Sequence, residues 1–88
     1  MDVSALSNMS NMFDKCTNFN QPLNLWNVSK VTNFYRMFSM CSEFNQDINS
    51  WVICDTSGSD VNMNSMFNNC FIFDSPLDNW NVSKVTTM

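Results

Sequence analysis

The chain has 88 residues, of which 44% are hydrophobic and 14% are charged, and its net charge is −4. This composition is typical of one small folded domain rather than of a disordered chain. The few basic residues, Lys15, Lys30, Arg36 and Lys84, form no stripe that could bind nucleic acid, and the absence of histidine removes the commonest general base and transition-metal ligand.

The first unit, about residues 1–28, opens with apolar residues at spacings of three and four: Leu6, Met9, Met12, Phe13 and Cys16. This spacing predicts one apolar face of a short helix. The opening residues lack the basic and apolar regions of a signal peptide. No apolar run approaches the about 20 residues of a membrane span, so we expect no membrane insertion.

After Cys16 the period changes. Phe19-Asn20-Gln21 reads as an irregular bend, and Trp26-Asn27-Val28 alternates in the manner of a short strand. The same order recurs in later units, at Trp51-Val52-Ile53 and at Trp80-Asn81-Val82. Each unit is therefore predicted to contain a short helix, a bend and one short strand.

The pattern M-F-x-x-C occurs three times, with its cysteine at Cys16, Cys41 and Cys70, which are 25 and 29 residues apart. Such a fixed period predicts a stacked repeat array, because one unit cannot bury its own apolar face. We therefore predict an α/β solenoid of about 3.5 coils in a single domain, 1–88. The further units are about 29–53 and 61–82, a partial unit spans 85–88, and the four extra residues fall in an insertion loop, 54–60.

Residues in equal register are predicted to form core columns, because neighbouring coils lie about 4.8 Å apart. Packing is the expected role of these aromatic and thiol side chains. The three copies give these columns: Phe13, Phe38 and Phe67; Cys16, Cys41 and Cys70; Phe19, Phe44 and Phe73; Trp26, Trp51 and Trp80.

The cysteines do not match a zinc site, which needs four convergent ligands that are often paired as C-x₂₋₄-C. Cys54 stands outside the column, beside the insertion loop, and is the thiol expected to react or cross-link. Asp55 and Asp60 flank the only glycine, but the loop lacks the other ligands of a calcium site and reads as a turn. The sequence thus predicts no metal, no cofactor and no enzyme.

The extended pattern resembles a known family. Met12-Phe13, Phe19-Asn20-Gln21, Leu23 and Trp26-Asn27-Val28-Ser29 are similar to the Mycoplasma-type repeats, about 25 residues long, of the BspA-like leucine-rich-repeat surface proteins. The resemblance covers nearly the whole chain, and Asp74-Ser75 departs from it where Asn-Gln is usual. It implies a right-handed, leucine-rich-repeat-like solenoid with no common catalytic residues.

The resemblance also implies a function. Relatives lie mainly on bacterial and protozoan surfaces, where adhesion or host-protein binding is proposed, and similar repeats occur in giant-virus genomes. We therefore expect a non-catalytic protein-binding module that is located at the cell surface or secreted, although a virion or the host cytoplasm stays open. The candidate partner-binding residues are Asn24, Asn27, Tyr35, Asn49, Val52, Phe71, Asp78 and Asn81.

The alternative is structural. The chain begins and ends in mid-repeat, and open ends of repeat arrays expose core side chains. Self-association through these ends would make the chain an assembly unit that stacks end to end, for example a shell or virion component. A fragment of a longer repeat protein would have the same sequence pattern.

Overall fold

The structure is a computed structural model that describes residues 3–53, 60–83 and 85–87. This described part contains two strands, β1 (Val61–Asn62) and β2 (Val85–Thr87), and no helix. Nowhere in it is there a helix long and apolar enough to cross a membrane. Cys54 and the rest of the insertion loop apart from the exposed Asp60 lie outside the described residues.

The repeats contact one another in parallel order. β1 and β2 form a parallel pair in which Asn62 lies beside Thr87, with a shift of register after Val61. Isolated parallel bridges join Asn8 to Asn33 and Asn33 to Asn62. These residues hold the same position in successive repeats, so a single line of backbone contact crosses the whole described chain.

Backbone hydrogen bonds continue this line beyond the bridges. From Met9 to Lys15, every second N–H group donates to a carbonyl of the second repeat, as Asn11 does to Tyr35 and Phe13 to Met37, both at 2.8 Å. The second repeat donates to the third in the same way. Its bonds run from Phe34 to Asn62, Arg36 to Asn64, Phe38 to Met66 and Met40 to Asn68, at 2.6–3.1 Å.

The intervening N–H groups close tight turns within each repeat. Met12 donates to the carbonyl of Met9 and Asp14 to that of Asn11, both at 3.2 Å. Two residues per repeat have positive φ, four positions apart, which returns the chain to the line of contact and interrupts any helix. They are Asn11 and Lys15, Arg36 and Met40, and Ser65 and Asn69.

The predicted fold class is therefore wrong. The right-handed leucine-rich-repeat-like solenoid required a helix and a strand in every coil, and the described residues contain no helix and only the two short strands. The segment predicted to be helical forms turns because its donors bond to the next repeat. The segment predicted to be a strand also turns, since Trp26, Trp51 and Trp80 each donate a backbone bond to the third residue before them, at 3.0–3.1 Å.

The core lies between the repeats and is most complete in the middle one. The side chains of Phe34, Met37, Phe38 and Ile48 have no exposed surface. These are the apolar positions of the M-F-x-x-C pattern and of its flanks. Their spacing of three and four thus identifies a buried face, although the backbone that presents this face is a series of turns.

Candidate protein-binding surface

Two neighbouring apolar side chains project from a turn of the third repeat. Phe71 is 77% exposed and Ile72 is 53% exposed. The turn is closed by a backbone bond of 3.3 Å from Phe73 to the Cys70 carbonyl. We call this pair, Phe71 and Ile72, the third-repeat patch.

The same turn is polar in the other two repeats. Thr17-Asn18 holds the position in the first repeat and Ser42-Glu43 in the second. The Ser42 hydroxyl donates to the Thr17 carbonyl at 3.4 Å, so these small polar residues serve the contact between repeats. Apolar residues at this position are therefore particular to the third repeat, and packing between the repeats does not require them.

Two of the other candidate residues are joined by hydrogen bonds between repeats. The Asn49 amide donates to the Asp78 carboxylate at 2.9 Å, and its oxygen accepts the N–H of Asn79 at 2.9 Å. The Asn49 N–H is itself bonded to Asp47 at 3.0 Å. These polar groups hold one repeat against the next, so fewer of their donors and acceptors are free to bond to a partner.

Asn27 and Asn81 cap local turns. The Asn27 side-chain oxygen accepts the N–H of Ser29 at 3.0 Å, and that of Asn81 accepts the N–H of Ser83 at 3.1 Å. Asparagine side chains commonly form such hydrogen bonds in turns. Both side chains are nevertheless exposed.

The remaining candidates differ in exposure. Asn24 is exposed and Val52 is 59% exposed, whereas Tyr35 is half-buried. The guanidinium of Arg36 lies 5.5 Å from the centre of the Tyr35 ring. Within the described part of the chain, no hydrogen bond joins Tyr35 or Phe71 to the pair Asn49 and Asp78, so the eight candidates do not form one bonded cluster.

The ring columns hold these turns in place. Phe38 lies 5.7 Å from Phe13 and 5.6 Å from Phe67, and Phe44 lies 5.7 Å from Phe19 and 5.6 Å from Phe73. All four contacts are near-parallel stacks. Phe38, Phe44, Trp51 and Trp80 are buried, while Phe13, Phe19, Phe67, Phe73 and Trp26 are partly buried.

Each buried tryptophan also ties two repeats together. The indole N–H of Trp51 donates to the Leu23 carbonyl, and that of Trp80 donates to the Ile48 carbonyl, both at 2.9 Å. The two rings stack at 6.1 Å. A buried indole N–H needs such a partner, so the column is fixed by hydrogen bonding as well as by packing.

The cysteines are donors between repeats. The Cys41 thiol donates to the Phe13 carbonyl at 2.9 Å and the Cys70 thiol to the Phe38 carbonyl at 2.8 Å, whereas Cys16 is exposed. Burial, with a smaller contribution from the neighbouring Cys70 and Cys16, raises the pKa of Cys41 to about 11. Burial also raises the pKa of Cys70. Buried thiols with raised pKa values are poor nucleophiles at neutral pH.

Five large, exposed apolar residues of the described part are absent from the candidates that the sequence suggested, and the two most exposed of them are Leu25 and Ile72. Leu25 is 91% exposed and stands where the other repeats have Ser50 and Asn79. Ile72 is the second member of the third-repeat patch. Comparing the three repeats position by position would have found both, because each is apolar where its counterparts are polar.

No group of three or more cysteine, aspartate or glutamate side chains among the described residues could hold a metal ion.

The profile of one family, described as Mycoplasma protein of unknown function, DUF285, matches residues 1–88. Searches of curated proteins and of solved structures returned no match. The resemblance is thus confirmed at the level of the Mycoplasma-type repeat family, without support for its leucine-rich-repeat details. The chain belongs to the DUF285 family.

Proposed function

We propose that the chain is a non-catalytic protein-binding module of a surface-type repeat protein and that the third-repeat patch is its main contact. The observation that carries the proposal is the exposure of Phe71 and Ile72 side by side, at 77% and 53%. Large apolar groups next to each other on a surface are characteristic of interaction sites. An exposed aromatic residue is also a frequent anchor of protein interfaces.

The surroundings of the patch favour a protein partner. Asn68 and Asn69 precede it in the chain, Asp74 follows it, and all three are exposed. An apolar centre with a polar rim is the usual composition of a protein interface. The chain has a net charge of −4 and would repel the phosphate groups of a nucleic acid, so a nucleic-acid partner is not favoured.

The patch is held on a rigid base. The thiol of Cys70, which precedes the patch, donates a hydrogen bond to the Phe38 carbonyl at 2.8 Å. Phe73, which follows it, stacks on Phe44 at 5.6 Å and on Phe67 at 4.6 Å. Because both ends of the turn are anchored, the loss of conformational entropy on binding is small.

Three of the carboxylates in the described part of the chain accept hydrogen bonds from nearby amides, which favours a structural role for them. Asp14 accepts a hydrogen bond from Asn11 at 2.9 Å, Asp47 from the Asn49 N–H at 3.0 Å, and Asp78 from the Asn49 amide at 2.9 Å. Each of the three thus has one oxygen bonded to an amide of the turns or of a neighbouring repeat, while the other oxygen of Asp14 is buried without a partner. Paired carboxylates arranged for acid–base catalysis would instead face a substrate cleft.

The test is adhesion of beads coated with the chain to cultured animal cells. We expect wild-type beads to adhere, and brief trypsin treatment of the cells to abolish adhesion, because the receptor is a protein. The double variant Phe71→Thr, Ile72→Asn carries the residues of the first repeat, Thr17 and Asn18. It should weaken binding by about 30-fold or more, since truncating an anchor residue costs about 2 kcal/mol or more.

The control is Leu25→Ser, which removes another exposed apolar side chain and introduces the residue of the second repeat, Ser50. This variant should adhere like the wild type. All variants should unfold at the same denaturant concentration. Wild-type adhesion no greater than that of albumin-coated beads, or equal adhesion by the double variant, would refute the proposal.

A further inference from the structure

The apolar third-repeat patch has acidic neighbours. Glu43 of the second repeat holds the position that Ile72 holds in the third, and Asp74 follows the patch in the chain. Both acidic side chains are exposed, as are Phe71 and Ile72. A partner that covers the patch therefore comes close to two carboxylates.

Glu43 and Ile72 lie beside each other because their two turns run in parallel. They immediately precede Phe44 and Phe73, whose rings stack at 5.6 Å with an angle of 1° between their planes. One residue further along, a hydrogen bond of 2.9 Å from the N–H of Asp74 joins the two repeats again. The carboxylate of Glu43 is thus held at one side of the patch by the contact between repeats.

The carboxylates of Glu43 and Asp74 are free to bind a partner. Within the described residues, neither takes part in an ion pair or accepts a hydrogen bond. The carboxylates of Asp47 and Asp78, by contrast, accept amide hydrogen bonds of 3.0 and 2.9 Å. The turns are therefore stabilised by other carboxylates, and the two beside the patch keep their full capacity for a cation.

No basic residue balances these charges in the same part of the sequence. Residues 37–83 contain no lysine or arginine but six acidic residues, which are Glu43, Asp47, Asp55, Asp60, Asp74 and Asp78. The first 36 residues contain three basic and two acidic ones. A surface with this excess of negative charge attracts cationic groups and repels anionic ones.

We propose that the third-repeat patch binds a basic and apolar segment of its partner protein, in which an apolar side chain is flanked by lysine or arginine. The apolar side chain packs on Phe71 and Ile72, and the cations lie next to Glu43 and Asp74. The exposed Phe71 ring favours the same chemistry, because the face of an aromatic ring attracts a cation. This inference rests on the proposed function and names the chemistry of the partner.

The first repeat supplies substitutions that the turn already accommodates. Asn18 holds the position of Glu43 there, and Asn20 holds that of Asp74, so the test variants are Glu43→Asn and Asp74→Asn. Each should weaken binding of a basic segment about 1.4- to 5-fold, the range for an exposed ion pair. Added salt should reduce the difference from the wild type, because it screens exposed charges.

Asp60→Asn is the matched control. Asp60 is exposed and precedes β1. The run of backbone bonds from Asn62 to Asn68 separates it from the patch. The substitution removes the same charge as Asp74→Asn, so binding should stay at the wild-type level if the carboxylates beside the patch attract the partner. An equal loss in all three variants would show that only the net charge matters and would overturn the proposal.

The measurement is an NMR titration of the ¹⁵N-labelled chain with two short peptides that have blocked ends. One alternates lysine with leucine and phenylalanine, and the other has glutamine in place of each lysine. We expect the lysine peptide to shift the amide signals of Phe71, Ile72 and Glu43. It should bind about 2- to 25-fold more tightly than the glutamine peptide, as expected for two exposed ion pairs.

Three outcomes of the titration would overturn the proposal. They are equal affinity for the two peptides, shifts confined to amides outside the patch and its neighbours, and tighter binding of heparin than of the lysine peptide. Heparin is the probe for a sulfated polysaccharide, which the two carboxylates should repel.

Adhesion of coated beads separates this inference from the proposed function. Suppose that wild-type beads adhere and the variant Phe71→Thr, Ile72→Asn does not, but that Glu43→Asn with Asp74→Asn adheres like the wild type. The patch is then a binding site whose partner is not basic, and this inference alone fails. If wild-type beads do not adhere although the lysine peptide shifts the amides of the patch, the adhesive function fails and the basic-segment site stands.

Discussion

The thiol of Cys41 and the indole of Trp51 both donate hydrogen bonds of 2.9 Å to carbonyls of the first repeat, those of Phe13 and Leu23. A side chain of one repeat therefore satisfies the backbone of the one before it. Each such bond contributes about 1 kcal/mol in a buried setting. The bond from Cys41 also depends on pH, because only the protonated thiol can donate.

The stability of the chain should fall between about pH 9 and pH 11. Burial raises the pKa of Cys41 from 9.0 to about 11, so an unfolded thiol releases its proton over this range while the folded one keeps it. The unfolded state then binds fewer protons, and the free energy of unfolding decreases as pH rises. Urea denaturation at about pH 8 and about pH 10.5 measures the change.

Cys41→Ala is the control for this prediction. The variant should be less stable than the wild type at about pH 8, and the difference should shrink at about pH 10.5 because the variant has no thiol to titrate at this position. A difference that is independent of pH would show that the Cys41 thiol does not contribute to the alkaline loss.

The described part of the fold contains turns in which each repeat has two left-handed residues, four positions apart. Positive φ costs most side chains about 1–2 kcal/mol, and least for asparagine and glycine. The chain nevertheless places Lys15, Arg36 and Met40 in this conformation, at 66°, 53° and 62°. The inter-repeat backbone bonds, such as the one of 2.6 Å from Met40 to Asn68, hold these residues in place.

Substitutions at Met40 should reveal this backbone constraint. Met40→Asn should leave stability within about 0.5 kcal/mol of the wild type, because easier positive φ offsets the loss of apolar contact. Met40→Val should cost more than about 1 kcal/mol, because a β-branched side chain resists positive φ. Thermal unfolding measures both variants.

The matching control is Val52→Asn at an exposed position that is absent from the residues with positive φ. There asparagine should bring no advantage over valine. Equal stability of Met40→Asn and Met40→Val would mean that the left-handed turn at Met40 is not populated in solution.

At the scale of the whole molecule, a repeat is stabilised by what covers its two faces. The second repeat lies between two others, and Phe38, Phe44 and Ile48 have no exposed surface. In the first repeat the corresponding Phe13 and Phe19 are partly exposed. Repeats that contact only their neighbours are expected to show this gradient.

The cost of removing one ring should therefore depend on the repeat. Phe38→Ala should cost about 3–5 kcal/mol, the range for a fully buried phenylalanine. Phe13→Ala should cost clearly less, because within the described residues a ring of a neighbouring repeat stacks on Phe13 from one side only, whereas Phe38 lies between Phe13 and Phe67. Urea denaturation gives both values, and equal losses would contradict the gradient.

The sequence pattern indicated the repeats and several of the buried positions but not the backbone that presents them. Met9, Met12 and Phe13 are spaced for a helix, and a turn with a left-handed residue spaces its buried side chains in nearly the same way. Nothing in the residue types of Arg36 or Met40 signals positive φ, since neither is glycine or asparagine. Hydrogen bonds to a distant repeat decide that conformation.

The sequence alone determined that the chain is a Mycoplasma-type repeat protein, because the period of 25 and 29 residues and its recurring Phe, Cys and Trp can be read directly. The tertiary structure decided that the repeats are joined by backbone bonds at alternate residues rather than built from helices and strands. It also decided that the apolar side chains of Phe71 and Ile72 stay exposed. The reason is that alternate backbone donors are satisfied by a residue about one repeat away, and local sequence does not encode that partner.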